Sequence, residues 1–311
     1  MDTPGEEIRE LQQRAGAAYE SGRLDEAKQL YGRLVELRPD GDAFHFRLAL
    51  VHKYLREWPQ ALAHNLRVLE LSDERDEGAG WNAGIAATAI GDWMQARRQW
   101  GDCGIDIDPG EGPIEDNFGP IGLRLNPWSG SETVFALRID PARARISNVP
   151  LPSSGHRYGD LVLHDGAQIG ERRYFEHVVP VFNELQRLEA SPFATFTAFV
   201  SCAADDEVER AQRMPMPGIA MVEDWTAGLG NTCLRCSYDI PHQHRRHGAG
   251  DNDWNPDRTL GIAAESEAQV RALLEAWAAE APGQRRFEAV QCREQAAPAL
   301  PSAGVWWRAP K

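Results

Sequence analysis

The chain has 311 residues, long enough for two or three domains that each bury a core, and its 42% hydrophobic and 26% charged composition is ordinary for a soluble globular protein. Against 33 basic side chains stand 47 acidic ones, for a net charge of −14. That balance excludes a general nucleic-acid binder with a basic face and disfavours docking on anionic membrane surfaces.

The N-terminal MDTPGEEIRE is acidic and has no apolar signal-peptide core. The longest mostly apolar run, 192–204, is interrupted by Thr and Ser and is too short to span a bilayer. A cytosolic location is expected. Lys occurs only at Lys28, Lys53 and Lys311, an Arg bias that fits a GC-rich bacterial genome. The 5 cysteines are irregularly spaced, which argues against a disulfide framework.

A period is visible over the first 110 residues. Ala27, Ala61 and Ala96 are 34 and 35 residues apart. Leu24, Trp58 and Trp93 stand three positions before them, and Tyr31, Asn65 and Trp100 four positions after. Ala15, Ala49 and Gly84 precede them by twelve. Gly22 and Gly91 break two turns, and Pro39 and Pro109 close two units. Small residues where helices cross, bulky ones beside them and Gly or Pro at the ends describe stacked helical hairpins. The pattern resembles the tetratricopeptide (TPR) repeat family, with three repeats in 1–110. Arg56 departs from it in place of the turn glycine, as does Asp73 in place of proline. The resemblance implies a concave face that holds a protein or peptide partner; the competing expectation is that this face packs on the chain's own C-terminal half. His45, His52, Lys53 and Arg56 are the basic cluster of the second repeat.

The acidic, Gly/Pro-broken 110–119 marks a boundary. In 111–190, apolar–polar alternation at 121–125, 133–139 and 160–163, divided by Pro and Gly, predicts a small antiparallel β module. Its loop SGHRYGD holds His156, Arg157 and Asp160, read as a polar hairpin connection; His164, Asp165 and Gly166 read as a strand running into a turn. In 191–311, strands are expected at 193–203, 218–225, 259–264 and 286–292, with helices at 205–214 and 266–280. Ser266 is placed as an N-cap, and Val270, Leu273, Leu274 and Trp277 recur at helical spacing. Two strand–helix–strand units predict a ferredoxin-like α+β domain, interrupted by an insertion at 226–258. The whole is a multi-domain α plus α+β chain.

Residues 231–247 of the insertion read NTCLRCSYDIPHQHRRH. Cys233 and Cys236 have the spacing of a metal knuckle, and His242, His244 and His247 follow closely. A tetrahedral Cys2His2 zinc site is expected from Cys233, Cys236, His242 and His247, with His244 as the alternative ligand. Its expected role is structural: one zinc ion tying down a long loop. Asp239 and Glu223 are conceivable acid/base groups, yet no H-E-x-x-H, nucleotide-binding glycine loop or serine-nucleophile motif is present in the sequence. Two functions follow. The first is a non-catalytic adaptor or inhibitor of a protein, whose acidic balance suits neutralising a basic toxin. The second is a metal-dependent hydrolase whose repeats recruit substrate.

Overall fold

The computed structural model describes residues 4–130, 132–226, 254, 256–292 and 294–308. Helices α1 (Pro4–Glu20) and α2 (Leu24–Leu37), α3 (Asp42–Tyr54) and α4 (Trp58–Leu71), and α5 (Glu77–Ile90) and α6 (Trp93–Asp102) form three hairpins in sequence. The repeat positions explain the stack. Ala27, Ala61 and Ala96 are sealed from solvent, as are Ala15 and Ala49 opposite them. A methyl group on Gly84 would stand 2.6 Å from the Trp100 ring, so only glycine admits that indole. Asp76 and Asp92 cap α5 and α6 by accepting the Ala79 and Gln95 amide N–H groups. Gly22 and Gly91 turn each chain reversal at φ 74°, and Arg56, at the matching position, adopts φ 60°. The six helices thus form a helical-repeat array in the expected register.

The β module is a closed barrel. Strands β1 (Pro120–Leu125), β2 (Glu132–Arg138), β3 (Arg143–Ile146), β4 (Leu161–Tyr174) and β5 (His177–Glu189) follow one another around it, and β5 returns to β1. The interior is filled by Ile121, Leu123, Leu125, Val134, Ala136, Ala144, Ile146 and Val162. The expectation of a wholly antiparallel module is corrected at the seam. Five strands alternating in direction leave the first and last running the same way, so β1 and β5 pair in parallel, Leu123 opposite Phe182. Two strands escaped the alternation. β3 is only four residues, and β5 carries Pro180, Asn183 and Glu184 where an apolar alternation would be looked for. His164, Asp165 and Gly166 are likewise not a strand end: β4 continues to Tyr174, with its register against β5 shifting on both sides of His164.

Beyond the barrel come β6 (Ala194–Ser201), α7 (Asp205–Arg213), β7 (Ile219–Asp224), β8 (Asp257–Ala264), α8 (Glu267–Ala279) and β9 (Arg286–Cys292). Their sheet has the order β7-β8-β6-β9, with every neighbouring pair antiparallel. Ser266 caps α8 by accepting the Gln269 amide N–H, and Val270, Leu273, Leu274 and Trp277 lie buried against the sheet. Residues 294–308 then leave the sheet and cross to the repeats, where Trp306 and Trp307 join the core that the helices share with Leu163 and Leu185 of the barrel.

Candidate binding surface and buried charge clusters

The first, third and fifth helices offer two zones of different character. Tyr19 of α1, Lys53 and Tyr54 of α3 and Trp81 of α5 are covered by the chain itself. The Trp307 ring stacks on Tyr54 with centroids 4.6 Å apart and planes 12° apart, and reaches Tyr19 at 5.4 Å. Trp306 meets Tyr54 and Trp128 edge-on. Three backbone oxygens fix the strap: Gly22 accepts the Gly304 amide N–H at 3.3 Å, Pro298 accepts Trp128 Nε1–H at 3.0 Å, and Trp307 accepts from Asn183 Nδ2 at 3.2 Å. Gly166 sits so close under Trp81 that a Cβ there would meet its Nε1 at 1.9 Å. The expectation of an open partner-binding face therefore fails for this zone: two tryptophans and the glycine-lined bulge of β4 already satisfy its aromatic surface.

The second zone is open. Between α1 and α3 lies a cavity of about 310 Å³, lined by Gln12, Gly16, Tyr19, Tyr31, Phe44 and Arg47 among others. Arg47 hangs 5.9 Å from the Tyr19 ring centroid, and burial pushes the Tyr19 phenol up to about 12 and raises that of Tyr31, so both buried tyrosines on the groove floor stay uncharged.

Under the covered zone, the second repeat's basic cluster is not a solvent-facing patch. Lys53 Nζ donates to Asp165 Oδ1 at 2.6 Å and to Asn82 Oδ1 at 2.7 Å, with both charged side chains under a twentieth exposed. Tyr54 Oη adds a 3.4 Å contact to the other carboxylate oxygen. Arg56 lays its guanidinium 4.5 Å from the centroid of Trp128. The departure from glycine at the turn thus places a cation against the barrel.

A second charged cluster lies at one end of the barrel, in SGHRYGD, which is a polar hairpin connection between the antiparallel strands β3 and β4 as expected, with its charges folded inward. His156 Nε2 lies 3.1 Å from Glu184 Oε2, and its Nδ1 3.4 Å from Asp160 Oδ2. All three side chains are at most 3% exposed. Burial pushes the imidazolium down, but the Glu184 and Asp160 carboxylates outweigh it and raise it to about 9, so it is charged. Burial also opposes the Asp160 carboxylate, yet His156 and the amide N–H groups of Ser191 and Arg157 hold it below its usual range. The loop is polar because it folds inward: each charge pins a segment, Glu184 accepting Asn126 N–H and Asp160 accepting Ser191 N–H, both at 2.7 Å. A histidine between two carboxylates resembles acid/base machinery, but no substrate reaches side chains buried this completely. Glu223, the other acid/base candidate, accepts from Asn148 Nδ2 and the Val149 amide N–H and so anchors that loop.

Cys233, Cys236, His242, His244 and His247 lie outside the described residues, as does Asp239. Among the described residues, no group of three or more His, Cys, Asp or Glu side chains is arranged to hold a metal ion. No described helix is long and apolar enough to cross a membrane. Sequence reasoning missed the Lys53–Asp165 pair and the aromatic strap. The second left a signal, since two adjacent tryptophans after a Pro/Ala-rich stretch are seldom left in water.

No family model and no curated protein matches the chain. Among solved structures, a mutant of the O-GlcNAc transferase of Thermobaculum terrenum is similar at 21% identity, over 33% of this chain and 20% of that one, with a TM-score of 0.29. The matched stretch is a fifth of that protein's length, and a likeness this slight carries no argument about fold or function.

Proposed function

We propose that the protein is a non-catalytic adaptor or inhibitor that grips a protein or peptide partner with the open zone of its helical repeats. The observation that carries this reading is the contrast between the α1–α3 groove, where exposed Arg47 and half-buried Phe44 stand over the buried rings of Tyr19 and Tyr31, and the acid/base groups of the barrel, which are sealed. Aromatic rings with polar tips beside an Arg are the side chains that recur at binding hot spots. The net charge of −14 suits a basic partner, such as a toxin to be neutralised in the cytosol of a bacterium. The strand order of the C-terminal sheet supports assigning it to the ferredoxin-like class, with the insertion stapled by one structural zinc on Cys233, Cys236, His242 and His247, or His244 in place of one histidine.

The test is affinity capture from the native host with wild type and with Phe44→Glu/Arg47→Glu. A partner retained by wild type and lost by the groove variant, with unchanged circular dichroism, is the expected result. Equal capture by both removes the groove from the argument. Elemental analysis of tag-free protein and of Cys233→Ser/Cys236→Ser decides the zinc separately. Hydrolysis of a captured partner that stops on chelation supports the metal-dependent hydrolase instead.

A further inference from the structure

Of the 9 histidines, three gather in the second hairpin, remote from the insertion in sequence. His45 and His52 stand on α3, and His64 on α4. The Pro39 carbonyl oxygen lies 3.2 Å from His45 Nε2. A carbonyl only accepts, so that nitrogen carries the proton and His45 Nδ1 is left with a bare lone pair. This lone pair meets His64 Nδ1 at 2.9 Å. The His64 ring is in turn set by His52, which stacks on it at 5.4 Å with planes 7° apart. His52 Nδ1 donates to Glu57 at 2.5 Å, and Lys28 Nζ donates to the same carboxylate at 2.7 Å. Burial, then the neighbouring histidines, push His64 down to about 4; burial also lowers His52 despite its bond to Glu57. Both are therefore neutral imidazoles near pH 7.

We propose that His45 Nδ1 and His64 Nδ1 form a two-imidazole chelate for a divalent late transition-metal ion, taking Cu²⁺ or Ni²⁺ in preference to Zn²⁺. Two features carry it. The far nitrogen of His45 is anchored on a backbone carbonyl, the outer contact that fixes the tautomer and ring direction of a metal-bound histidine. The separation of the two facing nitrogens then selects the metal. Bonds of about 2.0–2.1 Å to nitrogens 2.9 Å apart subtend roughly 90° at the ion. That is the cis angle of tetragonal and octahedral coordination, which Cu²⁺ and Ni²⁺ adopt, whereas tetrahedral zinc needs about 3.3 Å between its nitrogens. His64 is half-buried, so the ion is reached from solvent on that side and water completes its coordination. The site is independent of the proposed zinc loop and of partner binding. Without a metal, the same contact is a hydrogen bond from His64 Nδ1–H to His45.

The test uses the tag-free full chain carrying Cys233→Ser and Cys236→Ser, so that those thiolates do not compete. Ni²⁺ and Cu²⁺ titrated by calorimetry should show one site whose affinity falls at least tenfold in His45→Gln and in His64→Gln, with Zn²⁺ weaker. Ni²⁺ should raise the melting temperature of the parent and leave that of the variants unmoved. A second readout needs no variant: in protein with ¹⁵N-labelled histidine, the first Ni²⁺ added should broaden the His45 and His64 side-chain signals before any other. Identical titrations of parent and variants, no binding by the parent, or first broadening at other histidines would each overturn the site and leave a hydrogen bond between two rings.

Discussion

The helical array and the barrel share one surface but are built from different materials. Within the array, order comes from shape: Ala27, Ala61 and Ala96 are sealed in one core with Trp58 and Trp100, Gly84 admits the Trp100 indole, and no described ion pair between two array residues has both side chains buried. In the barrel, order at the loops comes from charge. Asp140 and Arg143 pair at 2.5 Å almost out of reach of solvent, and His156 is clasped between Asp160 and Glu184. The Lys53–Asp165 pair is where the two meet, a buried cation from the helices answering a buried anion from a strand. A repeat closes its core against its neighbour and needs only complementary volumes. A five-stranded barrel with long loops must bring some polar turns inside, and each then requires a partner of opposite charge.

The largest expected effect is at the strap, where shape packing crosses into the barrel. Trp306→Ala/Trp307→Ala removes two rings that are about 5% exposed at most. Truncating one buried Trp costs about 3–5 kcal/mol, and because these rings touch, the pair should cost less than twice that. Urea unfolding should lose more than about 5 kcal/mol, and limited proteolysis should cut within 294–308. Wild-type stability would mean that the array holds the barrel without the strap.

Asp165→Ala tests the charged side of the same contact. Lys53 would remain buried without its counter-ion, a loss of about 3–5 kcal/mol. Lys53→Met/Asp165→Leu removes both charges and should recover most of it. If the double variant is as unstable as the single one, the pair is held for its Asn82 and Tyr54 contacts and not for its charge.

The same division governs what the sequence disclosed. Ala27, Ala61 and Ala96 recur at a fixed period because a stacked repeat imposes the same crossing on each hairpin, and the array was legible down to Arg56 standing in for a turn glycine. Capping at Ser266 and the apolar face of α8 were legible for the same local reason. Lys53 and Asp165 are 112 residues apart, and nothing local marks either as half of a buried pair. His156 and Asp160 read only as a polar hairpin connection, not as a buried cluster, because their third partner, Glu184, lies on a strand whose own pattern Pro180 and Asn183 obscure. Periodicity reports neighbours, whereas long-range charge pairing leaves no period to read.

The two regions should also part company in their response to pH. His156 has a folded value of about 9 against an ordinary 6.5. Its contribution is fully present below about pH 6.5 and is lost as pH rises through 9, a difference of about 3 kcal/mol at most. Glu132, which burial raises to about 7, acts in the same direction, losing its contribution as pH rises through that value. His64 in the array is held down at about 4, so it contributes above pH 6.5 and its share is lost as pH falls through 4. Between about pH 4.5 and 6.5 the Glu132 and His64 contributions change in opposite directions and offset each other, so wild-type stability should hold a plateau there and decline on both sides. His156→Gln should flatten the alkaline limb and His64→Gln the acid limb, each leaving the other intact. A variant that moves both limbs would show that the two clusters are coupled through the interface.

The smallest expected effect is at Arg56, where shape and charge compete within one residue. A non-glycine side chain at φ 60° costs about 1–2 kcal/mol, and glycine at this turn would release most of it. Two of the guanidinium nitrogens, Nε and Nη2, are buried without a hydrogen-bond partner, a further cost that Arg56→Gly removes. Against these stands the 4.5 Å approach to the Trp128 ring, a cation–π contact worth about 0.5–2 kcal/mol. The opposing contributions nearly balance, and the strain and the bare donors together outweigh the contact. Arg56→Gly should therefore melt within a few degrees of wild type, on the stable side, while the Trp128 environment relaxes and its fluorescence shifts to the red. A loss above about 2 kcal/mol would reverse the ranking: the cation over Trp128 would then be a principal tie between array and barrel, and the departure from the repeat pattern would be explained by that tie alone.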